Sequence, residues 1–451
     1  MSSDPKLVEM TAEPTTTLLQ ASWTTELGIR IKISGNQLPD ARRPALNLGL
    51  VLDTSGSMEG DAIDALRSSA KGLVEKLRDG DRLSIVTFDS HSDVLVPNTV
   101  ITRSNRPQIL HAIELIRAKG TTDLVNGLAQ GLSQVVSNQL PAGINRIVLL
   151  SDGVPNSSVQ LPAMLASIHQ NGISVTSLGF GIDYDTTLMA QIARDTGGSF
   201  KYIEKPDQVA AIFDHELTKM TTVVGRNLQL VLEPGPGVTI EALPGLQASG
   251  DGKFYTTVGD LPAGEVRDLM IPIKVSARAE GTLAELVQAS LTFEDVIGHS
   301  GAQKREAFVG VRTSNDLDKV HAAIKMDLEA ARVRSSAAAA ILQAITLARQ
   351  GQVAPARQTI AAAIAAVKAA ATRLKDADFS QLLKELENVG KQVAQVVAAP
   401  QPELVIGKSA SEMPKHQVPM SVPPAMAPPA VEPMLRRAEE AATANVQGRE
   451  R

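Results

Sequence analysis

The 451-residue sequence predicts a multidomain protein whose main part is a doubly wound α/β domain of Rossmann-like type. Between residues 46 and 223, apolar runs alternate with amphipathic segments, as in a parallel sheet covered by helices. Strand-like runs separated by Pro and Gly follow over residues 226–312, and an alanine-rich region follows over 315–398. Because a chain of this length is too long to fold around a single hydrophobic core, these changes of pattern indicate separate domains.

The α/β domain, residues 46–223, is predicted from short apolar runs that alternate with helical stretches. In the helical stretch "DAIDALRSSAKGLVEKL", apolar residues recur at steps of three and four. The run "DVLVP" follows "RLSIVTFD" across the turn-like "SHS", so this hairpin is expected to form an antiparallel edge. The other predicted strands are "LNLGLVLD", "NRIVLLSD", "GISVTSLGF" and "SFKYIE".

A β-sandwich is predicted over residues 226–312, where runs such as "NLQLVLEP" and "MIPIKVSA" are separated by Pro and Gly turns. Residues 1–45 contain the strand-like "LLQASWTTELGIRIKIS", which has no place in the α/β domain. We expect these residues to join the sandwich, because the close termini of a domain permit its insertion into another.

The C-terminal part is predicted to be helical and then flexible. Three amphipathic helices are traced over residues 315–398, the first running through Leu317 and Leu328, and their alanines favour a close-packed bundle. Residues 399–451 are rich in proline and are predicted to be a disordered tail. Its last stretch, "PMLRRAEEAATANV", is compatible with a short helix that docks on a partner, but we favour an unstructured tail.

Composition excludes several classes of protein. The net charge of −5 arises from interspersed acids and bases, so neither nucleic-acid nor membrane binding is expected. The absence of cysteine excludes disulfides and thiolate chemistry. Residues 1–20 show no apolar core of signal-peptide length, and no segment is apolar over the ~20 residues of a membrane span. We therefore expect a cytoplasmic protein.

The stretch "NLGLVLDTSGSMEGD", residues 47–61, suggests a metal site. Asp53 ends a predicted central strand, and ligands of open α/β sheets bind beyond the carboxyl ends of the strands. Ser55 and Ser57 follow at alternate positions, so this loop offers one carboxylate and two hydroxyls. Oxygen ligands of this kind suit Mg²⁺.

Two further loops offer oxygen ligands. "KGTTDL" places Thr121 or Thr122 at the start of a predicted helix, and "IVLLSDGVPN" ends a strand at Asp152. If the three loops converge, the site contains Asp53, Ser55, Ser57, Thr122 and Asp152. With only two carboxylates, a bound cation would accept a further anionic oxygen from outside.

Together these elements resemble the von Willebrand factor type A domain and its metal ion-dependent adhesion site. The resemblance covers residues 46–223 and implies that both serines and the threonine bind the metal directly, while Asp53 and Asp152 bind directly or through water. It also implies that a partner's carboxylate completes the coordination. Thr122 matches the family pattern, whereas Thr121 stands where the family often has Gly, which leaves the choice of threonine open.

We expect a non-enzymatic, intracellular interaction or scaffold protein that captures a Glu or Asp carboxylate of another protein. Mg²⁺ is the expected cofactor, with Mn²⁺ or Ca²⁺ as alternatives. A second interpretation is an adaptor subunit of an AAA+ ATPase complex, since such adaptors resemble this domain. A Mg²⁺-dependent phosphatase of the haloacid dehalogenase type is disfavoured, because its DxDx[TV] motif needs a second Asp where this chain has Ser55.

Overall fold

The structure, a computed structural model, describes residues 7–37, 43–153, 160–181, 186–298, 300–374, 378–395 and 432–448. The chain divides into two compact units, one of Met1–Ala339 with Glu440–Arg451 and one of Ala340–Glu439. The predicted Pro-rich tail lies outside the described residues up to position 431.

In the described parts of the chain, sixteen strands form three sheets. The strands are β1 (Val8–Pro14), β2 (Leu18–Gln20), β3 (Thr25–Gly35), β4 (Leu46–Asp53), β5 (Arg82–Phe88), β6 (Ser92–Val100), β7 (Ile144–Ser151), β8 (Ser174–Phe180), β9 (Phe200–Ile203), β10 (Val223–Pro234), β11 (Val238–Ile240), β12 (Gln247–Ala248), β13 (Phe254–Pro262), β14 (Val266–Val275), β15 (Leu283–Asp295) and β16 (Gly301–Ser314).

The same described residues contain eleven α-helices. They are α1 (Asp61–Lys76), α2 (Arg106–Glu114), α3 (Leu124–Val136), α4 (Leu161–Gln170), α5 (Thr186–Asp195), α6 (Gln208–Thr221), α7 (Leu317–Ala322), α8 (Met326–Arg349), α9 (Val353–Leu374), α10 (Asp378–Val393) and α11 (Glu432–Val446). None of these helices combines the length and the apolar composition that a bilayer span needs.

The α/β sheet has the strand order β6-β5-β4-β7-β8-β9. Its strands are parallel except β6, which runs antiparallel to β5, so the predicted antiparallel edge is confirmed. One face of β4 presents leucines that pack with α1, α2 and α6, namely Leu46, Leu48, Leu50 and Leu52. Val51 points to the opposite face, where α3, α4 and α5 lie. The sheet is therefore covered by helices on both sides, which explains why β4 is apolar along its length.

The other two sheets combine N-terminal strands with strands that follow residue 223. The first has the order β1-β3-β14-β11 and the second the order β12-β13-β10-β15-β16-β2. Strand β3 pairs with β14 along its length, while β2 pairs with β16. Side chains from both sheets, such as Ile31 and Leu230, belong to one hydrophobic cluster. In the sequence, the strands of the α/β sheet thus lie between strands that belong to the other two sheets.

The predicted first helix through Leu317 and Leu328 is wrong as a single element, because the structure divides it into α7 and α8. The backbone between them pairs instead with the N-terminal segment. Ile324 forms a β-bridge with Thr16, and the N–H of Lys325 donates to the carbonyl of Thr15 at 2.9 Å. These long-range bonds interrupt the helix, although the helical spacing of apolar residues continues across this point in the sequence.

In the second unit, α9 and α10 form a helical hairpin. Ile360 and Val367 of α9 are buried, as are Leu386 and Val389 of α10. Gly390 lies against Ile360, since a Cβ at this glycine would be 3.2 Å from Ile360 Cγ2. A small residue at this point lets the two helices approach closely.

The flexible tail predicted for residues 399–451 is corrected at its end, where the structure forms α11. Leu435 and Ala442 of this helix are buried, at 1% and 3% exposure. An amphipathic helix obtains most of its stability from tertiary packing, which the local sequence does not reveal. The favoured unstructured tail is wrong here, and the short helix that the sequence left as the alternative forms through contacts with residues far away in the chain.

Candidate metal centre

Asp53 is the last residue of β4 and is fully buried. The N–H of Ser55 donates to its Oδ1 at 2.9 Å, and the hydroxyl of Ser151 donates to its Oδ2 at 2.6 Å. Strand β7, which ends at Ser151, runs beside β4 in parallel. The pairing of these two strands therefore brings the first and third predicted loops together.

Asp152 lies directly after β7 and shares hydrogen bonds with both serines of the first loop. The hydroxyl of Ser57 donates to Asp152 Oδ1 at 2.8 Å, and that of Ser55 lies 3.5 Å from the same oxygen. The two hydroxyl oxygens are 3.0 Å apart. Ser55 is buried whereas Ser57 is exposed, so the oxygen cluster reaches from the interior to the surface.

The two threonines that the sequence left open have different surroundings. Thr122 is buried and faces the loop after β7, since a Cβ on Gly153 would lie 2.5 Å from its Oγ1. Thr121 is exposed, and its N–H donates to the hydroxyl of Ser90 at 2.9 Å. The structure therefore brings Thr122, rather than Thr121, to the loop that carries Asp152.

Both carboxyl groups are held in a setting that disfavours their charge. Burial raises the pKa of Asp53, although hydrogen bonds from Ser151 and Ser55 oppose this effect. Burial and the nearby charge of Asp53 together raise the pKa of Asp152 to about 6, although hydrogen bonds from Ser57 and Ser55 oppose this effect. The site therefore concentrates negative charge among neutral hydrogen-bond donors.

Several residues that shape the site were missed by sequence reasoning. Ser151 fixes Asp53, and its signal was its place directly before Asp152. A further loop follows β5, where the carbonyl of buried Asp89 accepts a hydrogen bond from the N–H of Asp123 at 2.7 Å. Asp89 Oδ2 also lies 3.6 Å from Lys119 Nζ. This loop connects the first loop to the segment that carries Thr122.

Backbone bonds fix the same segment against the first loop. The N–H of Lys119 donates to the carbonyl of Thr54 at 2.7 Å, and the N–H of Gly56 donates to that of Gly120 at 3.1 Å. Gly120 adopts a φ of +73°, and a Cβ there would be 2.7 Å from Ser90 Oγ. Only glycine fits this turn without strain.

The donor set fits a hard divalent cation. The two carboxylates and three hydroxyls are all oxygen donors, which Mg²⁺, Mn²⁺ and Ca²⁺ prefer. The hydrogen-bond partners of Asp53 and Asp152 named above are hydroxyl or backbone N–H groups, which carry no positive charge. In the part of the chain that the structure describes, no group of three or more His, Cys, Asp or Glu side chains is placed to hold a metal. Any cation at this site would therefore depend on the hydroxyls as well as the two carboxylates.

The von Willebrand factor type A domain family matches residues 47–215, which include all five predicted site residues. The chain contains a von Willebrand factor type A domain. Two bacterial relatives match part of this chain. The uncharacterized protein sll0103 of Synechocystis is 32% identical over 217 residues, 47% of this chain and 50% of its own. The uncharacterized protein YfbK of Escherichia coli is 29% identical over 231 residues, 50% of this chain and 40% of its own. The matches thus span half or less of these relatives.

Solved structures show that the likeness in fold extends beyond the type A domain. A von Willebrand factor type A protein from Catenulispora acidiphila is 16% identical, has a TM-score of 0.70 and is matched over 100% of this chain and 99% of its own. The ArnB paralog VWA2 from Sulfolobus acidocaldarius is 17% identical, with a TM-score of 0.54 over 86% of this chain and 97% of its own. At these identities the two structures establish the fold alone.

Proposed function

We propose that the type A domain binds a divalent cation through Asp53, Ser55, Ser57, Thr122 and Asp152, and that the loaded site captures an acidic side chain of a partner protein. Domains of this type generally mediate protein–protein interactions. Mg²⁺ is the first candidate, with Mn²⁺ and Ca²⁺ as alternatives. When bound, such a cation supplies a positive centre that attracts a carboxylate.

The observation that carries this proposal is the convergence of two buried carboxylates among neutral donors. Asp53 and Asp152 come from neighbouring strand ends and share Ser55 as a hydrogen-bonding neighbour. Burying negative charge without a counter-charge is unfavourable, so a site of this composition gains stability from a cation. A purely structural turn would not need the second carboxylate.

The residues of the chain have distinct roles in this proposal. Ser151 and the N–H of Ser55 orient the carboxylate of Asp53, and Gly153 leaves room for Thr122. Ser57 lies at the exposed rim, where a partner would approach. The two further sheets, which we interpret as the predicted β-sandwich, would carry the domain as a scaffold. The proposal assigns no catalytic step and keeps the cytoplasmic location expected from the sequence.

Calorimetric titration of the full chain with MgCl₂ or MnCl₂ tests cation binding. Asp152→Ala is expected to abolish the binding heat while circular dichroism stays unchanged. Asp123→Asn is a matched control, because Asp123 caps α3 nearby but its side chain bonds to Asn126. Equal binding by the wild type and Asp152→Ala would contradict the proposal.

Cross-linking in the source cells tests partner capture. Lys119 is 67% exposed beside the site and offers an amine for the reagent. We expect cross-links from Lys119 to an acidic segment of another protein that disappear with a chelator and in Asp53→Ala. Cross-links that persist in both conditions would show that the site does not mediate the interaction.

A further inference from the structure

Two sheets of the first unit have an edge that no strand covers in the described residues. Strand β9 is the last strand of the α/β sheet. Strand β14 has β3 on one side, but on its other side β11 pairs only with Ile273, Lys274 and Val275. Among the strands that the structure describes, none pairs with the outer edge of β9 or with that of the first half of β14. Such edges present backbone groups that readily pair with another chain.

Glu440 of α11 occupies the edge of β9. Its Oε2 accepts a hydrogen bond from the N–H of Tyr202 at 3.2 Å, and its Oε1 lies 3.2 Å from Lys201 Nζ. One side chain thus satisfies an edge amide and pairs the single charged residue of the strand "FKYI". Ala442 and Thr443, in the next turn, are each 3% exposed, so this part of the helix is packed and does not merely touch the surface.

Gly448, just beyond α11, occupies the edge of β14. The N–H of Asp268 donates to the carbonyl of Gly448 at 2.8 Å. Gly448 has a φ of +64°, and a Cβ there would lie 2.6 Å from the backbone nitrogen of Asp268. Both the backbone conformation and the close contact therefore require glycine at this position.

We propose that residues 440–448, the C-terminal cover, are an intramolecular ligand for these two sheet edges and prevent them from pairing with a second copy of the chain. The cover supplies a carboxylate to one edge and a backbone carbonyl to the other, and each accepts an edge N–H. Without the cover, β9 exposes a short strand of aromatic and β-branched residues with one charge. This composition favours pairing between identical copies.

The cover makes both contacts through one short segment, so its two ends are coupled. Loss of the Glu440 contact is expected to loosen the Gly448 contact as well. A hydrogen bond contributes roughly 0.5–1.5 kcal/mol, so the amides of Tyr202 and Asp268 should exchange with solvent up to about tenfold faster in a variant that weakens the cover.

Amide hydrogen exchange of the full chain tests the proposal. Glu440→Ala and Gly448→Ala are each expected to accelerate exchange at both Tyr202 and Asp268. Gly264→Ala is the matched control, because Gly264 has a similar φ of +76° but no atom within 4 Å of an added Cβ. Faster exchange only at the substituted end, or at neither end, would overturn the coupled cover.

Light scattering over a range of concentrations tests the role of the cover. Both cover variants are expected to show a higher mean molar mass than the wild type at equal concentration, whereas Gly264→Ala should not. Faster exchange without any rise in mass would overturn the inference that the cover prevents pairing between copies.

Discussion

Asp152 links the stability of the cation-free protein to pH. Its pKa is raised from 3.8 to about 6 by burial, so the folded state holds the proton more strongly than the unfolded chain. The stability that the bound proton contributes is fully present below pH 3.8, the ordinary pKa of the group in the unfolded chain. It is lost as the pH rises through the folded-state pKa of about 6. At neutral pH without a cation, the charged carboxylate therefore destabilises the fold.

Asp152→Asn is expected to stabilise the cation-free protein at pH 8. The amide oxygen still accepts from Ser57, but the buried charge is gone. Allowing for solvent screening, we expect a gain on the order of 1 kcal/mol, or about 3 °C in melting temperature. Thermal melting in chelator should show this gain at pH 8 and its disappearance near pH 4. A variant that is less stable than the wild type at pH 8 would contradict this account of the charge.

Gly153→Ala is expected to weaken cation binding without unfolding the domain. A Cβ at this position would be 2.5 Å from Thr122 Oγ1, which would displace the threonine from the loop of Asp152. We predict a loss of about tenfold in Mn²⁺ affinity, measured by calorimetry, comparable with the loss of a contact that orients a metal ligand.

Gly250→Ala is the control for this substitution, since an added Cβ there has no neighbour within 4 Å. Its cation affinity should equal that of the wild type. Unchanged affinity in Gly153→Ala would show that Thr122 does not contribute to the site.

At this scale, sequence reasoning found the residues that end strands and missed those that support them. Asp53 and Asp152 were predictable because a polar residue after a buried parallel strand faces the ligand-binding edge. The role of Ser151 depends on a partner 98 residues away, and that of Asp89 depends on the approach of a neighbouring loop. The spacing of residues along the sequence does not reveal such long-range contacts.

Among the elements, α3 is the one that positions Thr122, and two glycines set its distance from the sheet. A Cβ on Gly131 would lie 2.3 Å from Val51 Cγ2, and one on Gly127 would lie 2.6 Å from Phe88. Helix-interior glycine is normally unfavourable by roughly 1 kcal/mol relative to alanine. Here close packing against β4 and β5 outweighs that propensity.

Gly131→Ala is expected to destabilise the fold by about 1–3 kcal/mol through overpacking, despite its better helix propensity. Gly72→Ala in α1, where an added Cβ has open space, should instead stabilise by roughly 0.5–1 kcal/mol. Urea unfolding of both variants measures the difference. Stabilisation by both substitutions would show that α3 is free to move away from the sheet.

The elements that sequence reasoning misjudged are those decided by distant partners. The strand β4 was placed correctly because both of its faces are buried and its apolar run is continuous. The break between α7 and α8 arises from backbone bonds to Thr15 and Thr16. The helix α11 packs through Glu440 on residues 239 positions earlier. The spacing of apolar residues shows which face of a helix is buried, but it does not identify the residues that this face contacts.

At the scale of the whole first unit, a buried ion pair joins the α/β sheet to a neighbouring sheet. Arg146 Nη2 of β7 lies 2.7 Å from Asp260 Oδ2 of β13, with side-chain exposures of 8% and 5%. Asp260 Oδ1 also accepts from the N–H of Asn227 at 3.1 Å. A buried charge that loses its partner is strongly destabilising.

Asp260→Asn is expected to destabilise the protein by about 3–5 kcal/mol, because Arg146 would remain buried and charged. The double variant Arg146→Met with Asp260→Leu should recover most of this loss, since well-packed apolar residues can replace a buried pair. Glu306→Gln serves as the control, because the Lys304–Glu306 pair is more than half exposed and should contribute little to the free energy of unfolding. Similar losses of stability from Asp260→Asn and Glu306→Gln would contradict a structural role for the Arg146–Asp260 ion pair.

An anomalous difference map from crystals soaked in MnCl₂ shows whether the separated strand ends form one cation site. We expect a manganese peak enclosed by Asp53, Ser55, Ser57, Thr122 and Asp152 that is absent in Asp152→Ala crystals. No peak at these residues, or a peak that survives the substitution, would show that they do not form the cation site.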